Sequence, residues 1–88
     1  SPAVSLNIFP NPSSGLFTLS YIVQSRCTVS SEIFDMQGRR IKELFRVPEQ
    51  YEGNYNCNLD ISGLNNGEYL IRTVIGDKVL TRRIILNK

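Results

Sequence analysis

Chemistry in this 88-residue chain has to be built without histidine. That removes the one side chain that titrates near neutral pH unaided. The serines have no evident general base, and none stands in a nucleophile-elbow pattern. Glu43, Glu49 and Glu52 could act as paired carboxylates, yet a solvated loop explains them better. Cys27 and Cys57 form the one cysteine pair in the chain, and their spacing fits no zinc pattern, so no metal site is expected. Two reduced thiols and one disulfide are both open. A bridge would close a loop of about 30 residues, a contribution of roughly 3–4 kcal/mol in the chain-entropy account. An isopeptide bond needs a buried lysine beside an asparagine and an acid, but Lys42, Lys78 and Lys88 all read as exposed. Gly63, Gly67 and Gly76 form no phosphate loop, because none opens a helix. No catalytic residue and no cofactor is expected, and the chain reads as something other than an enzyme.

Binding chemistry is the alternative. The net charge of +2 hides an asymmetry: residues 1–77 hold six Lys and Arg against eight Asp and Glu. From residue 78 onward there are only cations, Lys78, Arg82, Arg83 and Lys88. A basic edge strand that resists aggregation is the plain reading, and a recognition tail is the sharper one. Nucleic acid is a poor fit, since four charges without interleaved aromatics make no stacking groove. Tyr51, Tyr55 and Tyr69 could stack on sugars, although Tyr69 reads better as a core or rim residue.

The elements that must position these groups are strands. Alternating apolar residues, rich in β-branched and aromatic types, recur throughout, and no window shows three turns of helical spacing. Strands are predicted over residues 5–9, 16–23, 28–35, 39–47, 55–61, 68–75 and 78–86. A polar loop over 48–54 follows the fourth, because Pro48 cannot donate to a ladder. Leu64 is expected to plug one end of the core. Gly76-Asp77 reads as a two-residue hairpin turn. Seven short strands at this spacing predict an all-β, antiparallel, immunoglobulin-like sandwich. A chain this short buries only about 60–65% of its unfolded surface, enough for one thin core and no deep cleft. No apolar run approaches the ~20 residues of a membrane-spanning helix.

Three turn motifs punctuate these strands. Pro10-Asn11-Pro12 with Gly15 ends the first. Asp35-Met36-Gln37-Gly38-Arg39 has Asp and Gly at the first and fourth places of a type I turn. Leu64, Gly67 and Tyr69 form a Leu-x-x-Gly-x-Tyr segment. Gly38 and Gly67 allow positive backbone angles that a side chain would strain. The ordered set, closing on a hairpin and a basic-apolar strand over 78–88, resembles the C-terminal sorting domain of type IX secretion system cargo proteins (type A). The likeness covers about residues 5–88. It departs in having Arg82-Arg83 where lysine is frequent, and the cysteine pair lies outside the pattern.

The resemblance implies a domain at the end of a larger exported protein, with residues 1–4 as linker and cleavage region and 5–88 as the sorting domain. It implies passage through the periplasm, recognition of the folded domain by an outer-membrane translocon and its shuttle proteins, and removal by a surface sortase-like peptidase. The cargo then reaches the cell surface or the medium. The expected recognition residues are Gly67, Tyr69, Lys78, Arg82, Arg83 and Lys88, with the last hairpin presenting an edge and a row formed by Lys78, Arg82 and Arg83. Self-association through an unprotected edge strand is a further expectation. The rivals are a structural spacer of a surface protein and a carbohydrate-binding module.

Overall fold

The computed structural model describes residues 5–88, so the expected linker at 1–4 lies outside the described residues. Seven strands follow one another: β1 (Leu6–Phe9), β2 (Leu16–Val23), β3 (Cys27–Asp35), β4 (Arg40–Gln50), β5 (Gly53–Asp60), β6 (Gly67–Ile75) and β7 (Lys78–Leu86). They form two sheets, β1-β2-β5 and β4-β3-β6-β7, and every pairing between strands is antiparallel. The result is the all-β sandwich that the alternation predicts.

Side-chain parity builds the core. In β2, Phe17, Leu19, Tyr21 and Val23 are at most 3% exposed, while Leu16 on the other face is 65% exposed. Ile33 of β3, Ile71 of β6 and Ile84 of β7 meet them from the facing sheet, all at 0%. Each fully buried side chain of this kind contributes about 1.5–3 kcal/mol of transfer free energy. Two polar side chains enter the same core, Ser31 and Thr73, and their hydroxyls bond each other at 3.1 Å. Burial of either alone would carry a desolvation cost, and the pairing offsets it.

Local chemistry sets the split of three and four strands. The tight turn at residues 35–39 folds β4 directly onto β3, so β4 joins the β3-β6-β7 sheet rather than pairing with β5. In constant-type immunoglobulin domains the fourth strand lies in the other sheet.

The polar loop expected over 48–54 does not form. β4 continues through Pro48 to Gln50, β5 starts at Gly53, and only Tyr51 and Glu52 connect them. Pro48 is tolerated because β4 is an edge strand, where a missing N–H faces away from the sheet. Its carbonyl is used: the Thr28 hydroxyl donates to it at 2.8 Å. Two residues close that end of the core. Ile61, just past β5, is 0% exposed, and the expected plug Leu64 packs against the core partly buried.

Candidate functional site

The register places all three turn motifs at one pole. β1 and β5 end there, β2 and β6 begin there, and β7 terminates there, because Phe9 pairs with Thr18, Leu16 with Asp60 and Gly67 with Leu86. Asp35, at the end of β3, sits opposite Tyr69 near the start of β6.

The Pro10-Asn11-Pro12 turn, with cis bonds before both prolines, reaches across to the last strand. Asn11 Nδ2 donates to the Arg83 carbonyl at 2.8 Å, and Asn11 Oδ1 accepts from the Ile85 N–H at 2.9 Å. One side-chain amide thus fills the donor and acceptor places that a neighbouring peptide would fill. Ser13 continues the contact in backbone form. Its N–H donates to the Ile85 carbonyl and its carbonyl accepts from the Asn87 N–H, both at 2.8 Å, making a short parallel bridge to Leu86. The Ser13 side chain is 1% exposed; its hydroxyl accepts from the Gly15 N–H at 2.9 Å and donates to the Leu16 carbonyl at 3.0 Å. Gly15 has φ +126, and a Cβ there would lie 2.7 Å from the Ser62 Cβ. Both the angle and the crowding demand glycine.

Asp35 organises the second turn. Its Oδ1 accepts from the N–H groups of Gln37 (3.0 Å) and Arg39 (2.9 Å), and its Oδ2 accepts from Arg39 Nε at 2.8 Å. The Arg39 backbone N–H foremost, then the Arg39 guanidinium and the Gln37 N–H, hold the Asp35 carboxyl below its usual range. Gly38 closes the turn with φ +88, its N–H donating to the Asp35 carbonyl at 3.0 Å.

The third motif meets the C-terminal residues. The Tyr69 hydroxyl donates to the Asn65 carbonyl. Lys88 Nζ donates to the carbonyls of Ser62 (3.0 Å) and Leu64 (2.7 Å), and its backbone N–H donates to Asn66 Oδ1 at 2.9 Å. Asp60 accepts from the Ser62 N–H at 2.8 Å. Bonds from the Ser62 hydroxyl and N–H, with Lys42 a lesser influence, hold the Asp60 carboxyl low.

The expected cationic row is split. Arg82 pairs with Ile71 and Lys78 with Ile75, both on the parity that faces the core, while Arg83 pairs with Leu70 on the outer face. Arg82 Nε turns to the Leu6 carbonyl at 3.2 Å and its Nη1 to the Thr81 carbonyl at 3.0 Å. Lys88 is tied to its turn. Among the described residues no ion pair engages Lys78, Arg82, Arg83 or Lys88, but only Lys78 and Arg83 carry head groups free of a hydrogen-bonded carbonyl. The edge expected to be open on β7 is occupied from Arg83 to Asn87 by Asn11 and Ser13.

The tyrosines form no common platform. Tyr69 belongs to the motif pole and is 9% exposed. Tyr55 stacks on Tyr21 with ring centroids 5.6 Å apart, and its hydroxyl donates to the Tyr51 carbonyl at 2.6 Å at the opposite pole. Tyr21, fully buried, donates to Gln50 Oε1 at 2.7 Å. Burial first, and the adjacent Cys57 thiol second, push its hydroxyl pKa well above the ordinary phenol value. Cys27 and Cys57 are free thiols, half-buried on different sheets.

Sequence reasoning located the motif turns but missed Ser13, Ser62 and the Leu6 carbonyl. A serine between proline and glycine looks like any loop serine, and a backbone acceptor leaves no mark in side-chain type. No curated protein matches the chain. A protein family described as secretion system C-terminal sorting domain matches residues 7–87.

Proposed function

The chain belongs to the type IX secretion system C-terminal sorting domain family, and from that premise we propose that its motif pole, with the outer face of β7, is the address read by the outer-membrane translocon. As a sorting signal the domain directs its cargo to the cell surface or the medium through the secretion machinery. On the proposed reading the cargo crosses the periplasm, shuttle proteins and translocon bind residues 5–88 in folded form, and a surface sortase-like peptidase then cuts at or just upstream of residues 1–4. The domain acts as substrate and address, with no chemistry of its own.

The observation that supports this reading is convergence. Three motifs far apart in sequence meet at one end of the sandwich: the first and third engage β7 and Lys88 just past it, and the second sits opposite Tyr69 of the third through Asp35. Gly67, Tyr69, Arg82 and Lys88 shape that strand and its turns. Arg83 offers charge to a partner on the outer face of β7, and Lys78 offers it at the far end of that strand on the other parity; such charge steers encounter and selects against wrong partners.

The test is an export assay. Residues 1–88 are fused to a signal-peptide-bearing fluorescent protein in a type IX-competent bacterium, beside a translocon-deficient strain. Surface or medium fluorescence that disappears only in the deficient strain supports the address. A folded fusion held in the periplasm of both strains rejects it. In the competent strain, Arg83→Glu is expected to leave folding intact and stop export, whereas Arg82→Glu also loosens β1 by losing the bond to the Leu6 carbonyl. Intact-mass analysis of exported cargo places the cut; cargo that retains residues beyond Ser5 sinks the cleavage assignment.

A further inference from the structure

Four strands close the two sheets, β1 and β5 on one and β4 and β7 on the other. An edge strand presents unpaired N–H and C=O groups that invite another strand, and folded proteins blunt such edges by identifiable means. Three of these edges are blunted. β1 has four residues, runs into Pro10, and its Leu6 carbonyl accepts from Arg82 Nε at 3.2 Å. β7 is closed by Asn11, Ser13 and the Arg82 head group. β4 carries Pro48, three register shifts against β3, and the charged residues Arg40, Lys42, Glu43, Arg46 and Glu49.

β5 has none of these devices. Its eight residues stay in unbroken register with β2, from Leu16 opposite Asp60 to Val23 opposite Gly53. It holds no proline, and no charge precedes Asp60. Asn54, Asn56 and Asn58 are exposed on its outer face, in rows with Ile22, Ser20 and Thr18. The Thr18 hydroxyl donates to Asn58 Oδ1 at 2.9 Å, so one of these amides already acts as a cross-strand partner.

We infer that the free edge of β5 is a pairing site for a second copy of this chain. The strand is its own complement. Antiparallel pairing about Asn56 sets Asn56 opposite its own copy and Asn54 opposite Asn58 of the partner subunit, amide facing amide. Each amide both donates and accepts, so the rows satisfy themselves. The ladder runs from Gly53 opposite Leu59 of the partner subunit to Leu59 opposite Gly53 of the partner subunit, and within it no like charges are brought together, which is what usually forbids a strand from pairing with itself. Asp60 and Glu52 of the partner subunit come opposite each other just beyond each end, where the pairing stops. The contact is two-fold and closed, so it ends at a dimer. It joins the three-stranded sheets of two copies into one continuous sheet and leaves the motif pole of each free. The inference stands apart from the sorting assignment.

Sedimentation equilibrium of the 88-residue chain, from micromolar to millimolar concentration, tests it. The average mass is expected to rise from 10.0 kDa towards twice that value. Asn56→Lys and Asn56→Glu, each at an exposed position, are expected to hold the monomer mass over the whole range with unchanged thermal unfolding. An equal mixture of the two is expected to recover the dimer. A wild-type chain that stays monomeric at every concentration overturns the inference. So does an Asn56→Lys chain that dimerises as the wild type does, or a mixture that stays monomeric.

Discussion

Asn11 does with one side chain what a neighbouring strand does with its backbone, and its removal should be measurable. Asn11→Ala leaves the Arg83 carbonyl and the Ile85 N–H to water. Two hydrogen bonds near an exposed edge are together worth about 1–2 kcal/mol, a loss of roughly 4–16 °C in Tm for a domain this size. Urea unfolding reads the stability, and amide exchange at Ile85 is expected to accelerate with it. Asp35 makes a different prediction, in pH. Its folded-state carboxyl is held below the ordinary value of 3.8, so the unfolded chain binds the proton more tightly. The stabilisation is therefore present in full above the ordinary value and is lost as pH falls through the lower, folded one. Asp60 is shifted the same way. Urea midpoints measured from neutral pH downwards should fall in acid for the wild type, and fall less steeply for Asp35→Asn, which starts from a lower midpoint at neutral pH.

At the scale of elements, turns lock to turns. The Ile61 N–H donates to the Gly15 carbonyl at 2.7 Å, so the loop after β1 and the turn after β5 share one seam. Gly15→Ala places a methyl against Ser62 at a backbone angle that side chains rarely adopt, and a loss of about 2–4 kcal/mol is expected. Chemical denaturation checks it, and a loss under about 0.5 kcal/mol, the scale of an ordinary surface change, rejects the seam. The strands themselves were legible in sequence because alternation reports a half-buried face directly. The sequence pattern ends β4 too early because proline forbids a ladder only where its nitrogen faces a neighbour, and sequence does not reveal which strand lies at an edge. The motif turns were legible as turns, since Gly38 and Asp35 carry their geometry locally. The target of the first turn was not, because a side-chain amide bonded to a strand 72 residues away leaves no local pattern. By type alone the basic residues of β7 form one row. Adjacent residues on a strand point to opposite faces, and this separates Arg82 from Arg83.

Across the whole molecule the two sheets differ in character. The outer face of β4-β3-β6-β7 is charged, with Arg40 paired to Glu32 and Glu43, while the outer face of β2-β5 is nearly neutral. One face suits a charged partner and the other a polar, uncharged one. The family's sorting role and the dimer inferred from β5 would therefore use separate surfaces. The clasp of residues 11–13 on β7 has a temporal consequence as well. The ribosome delivers residue 11 early and residue 85 last of the pair, so the clasp cannot close until the seventh strand has been made. A polypeptide broken off after Arg83 lacks the buried Ile84 and Leu86 and leaves Ser13 without its backbone partners, and circular dichroism of residues 1–83 is expected to show no cooperative unfolding. The fold thus works as a completion stamp: on the reading proposed for the motif pole, a chain that stops short of Ile85 would carry no closed clasp and so no legible address.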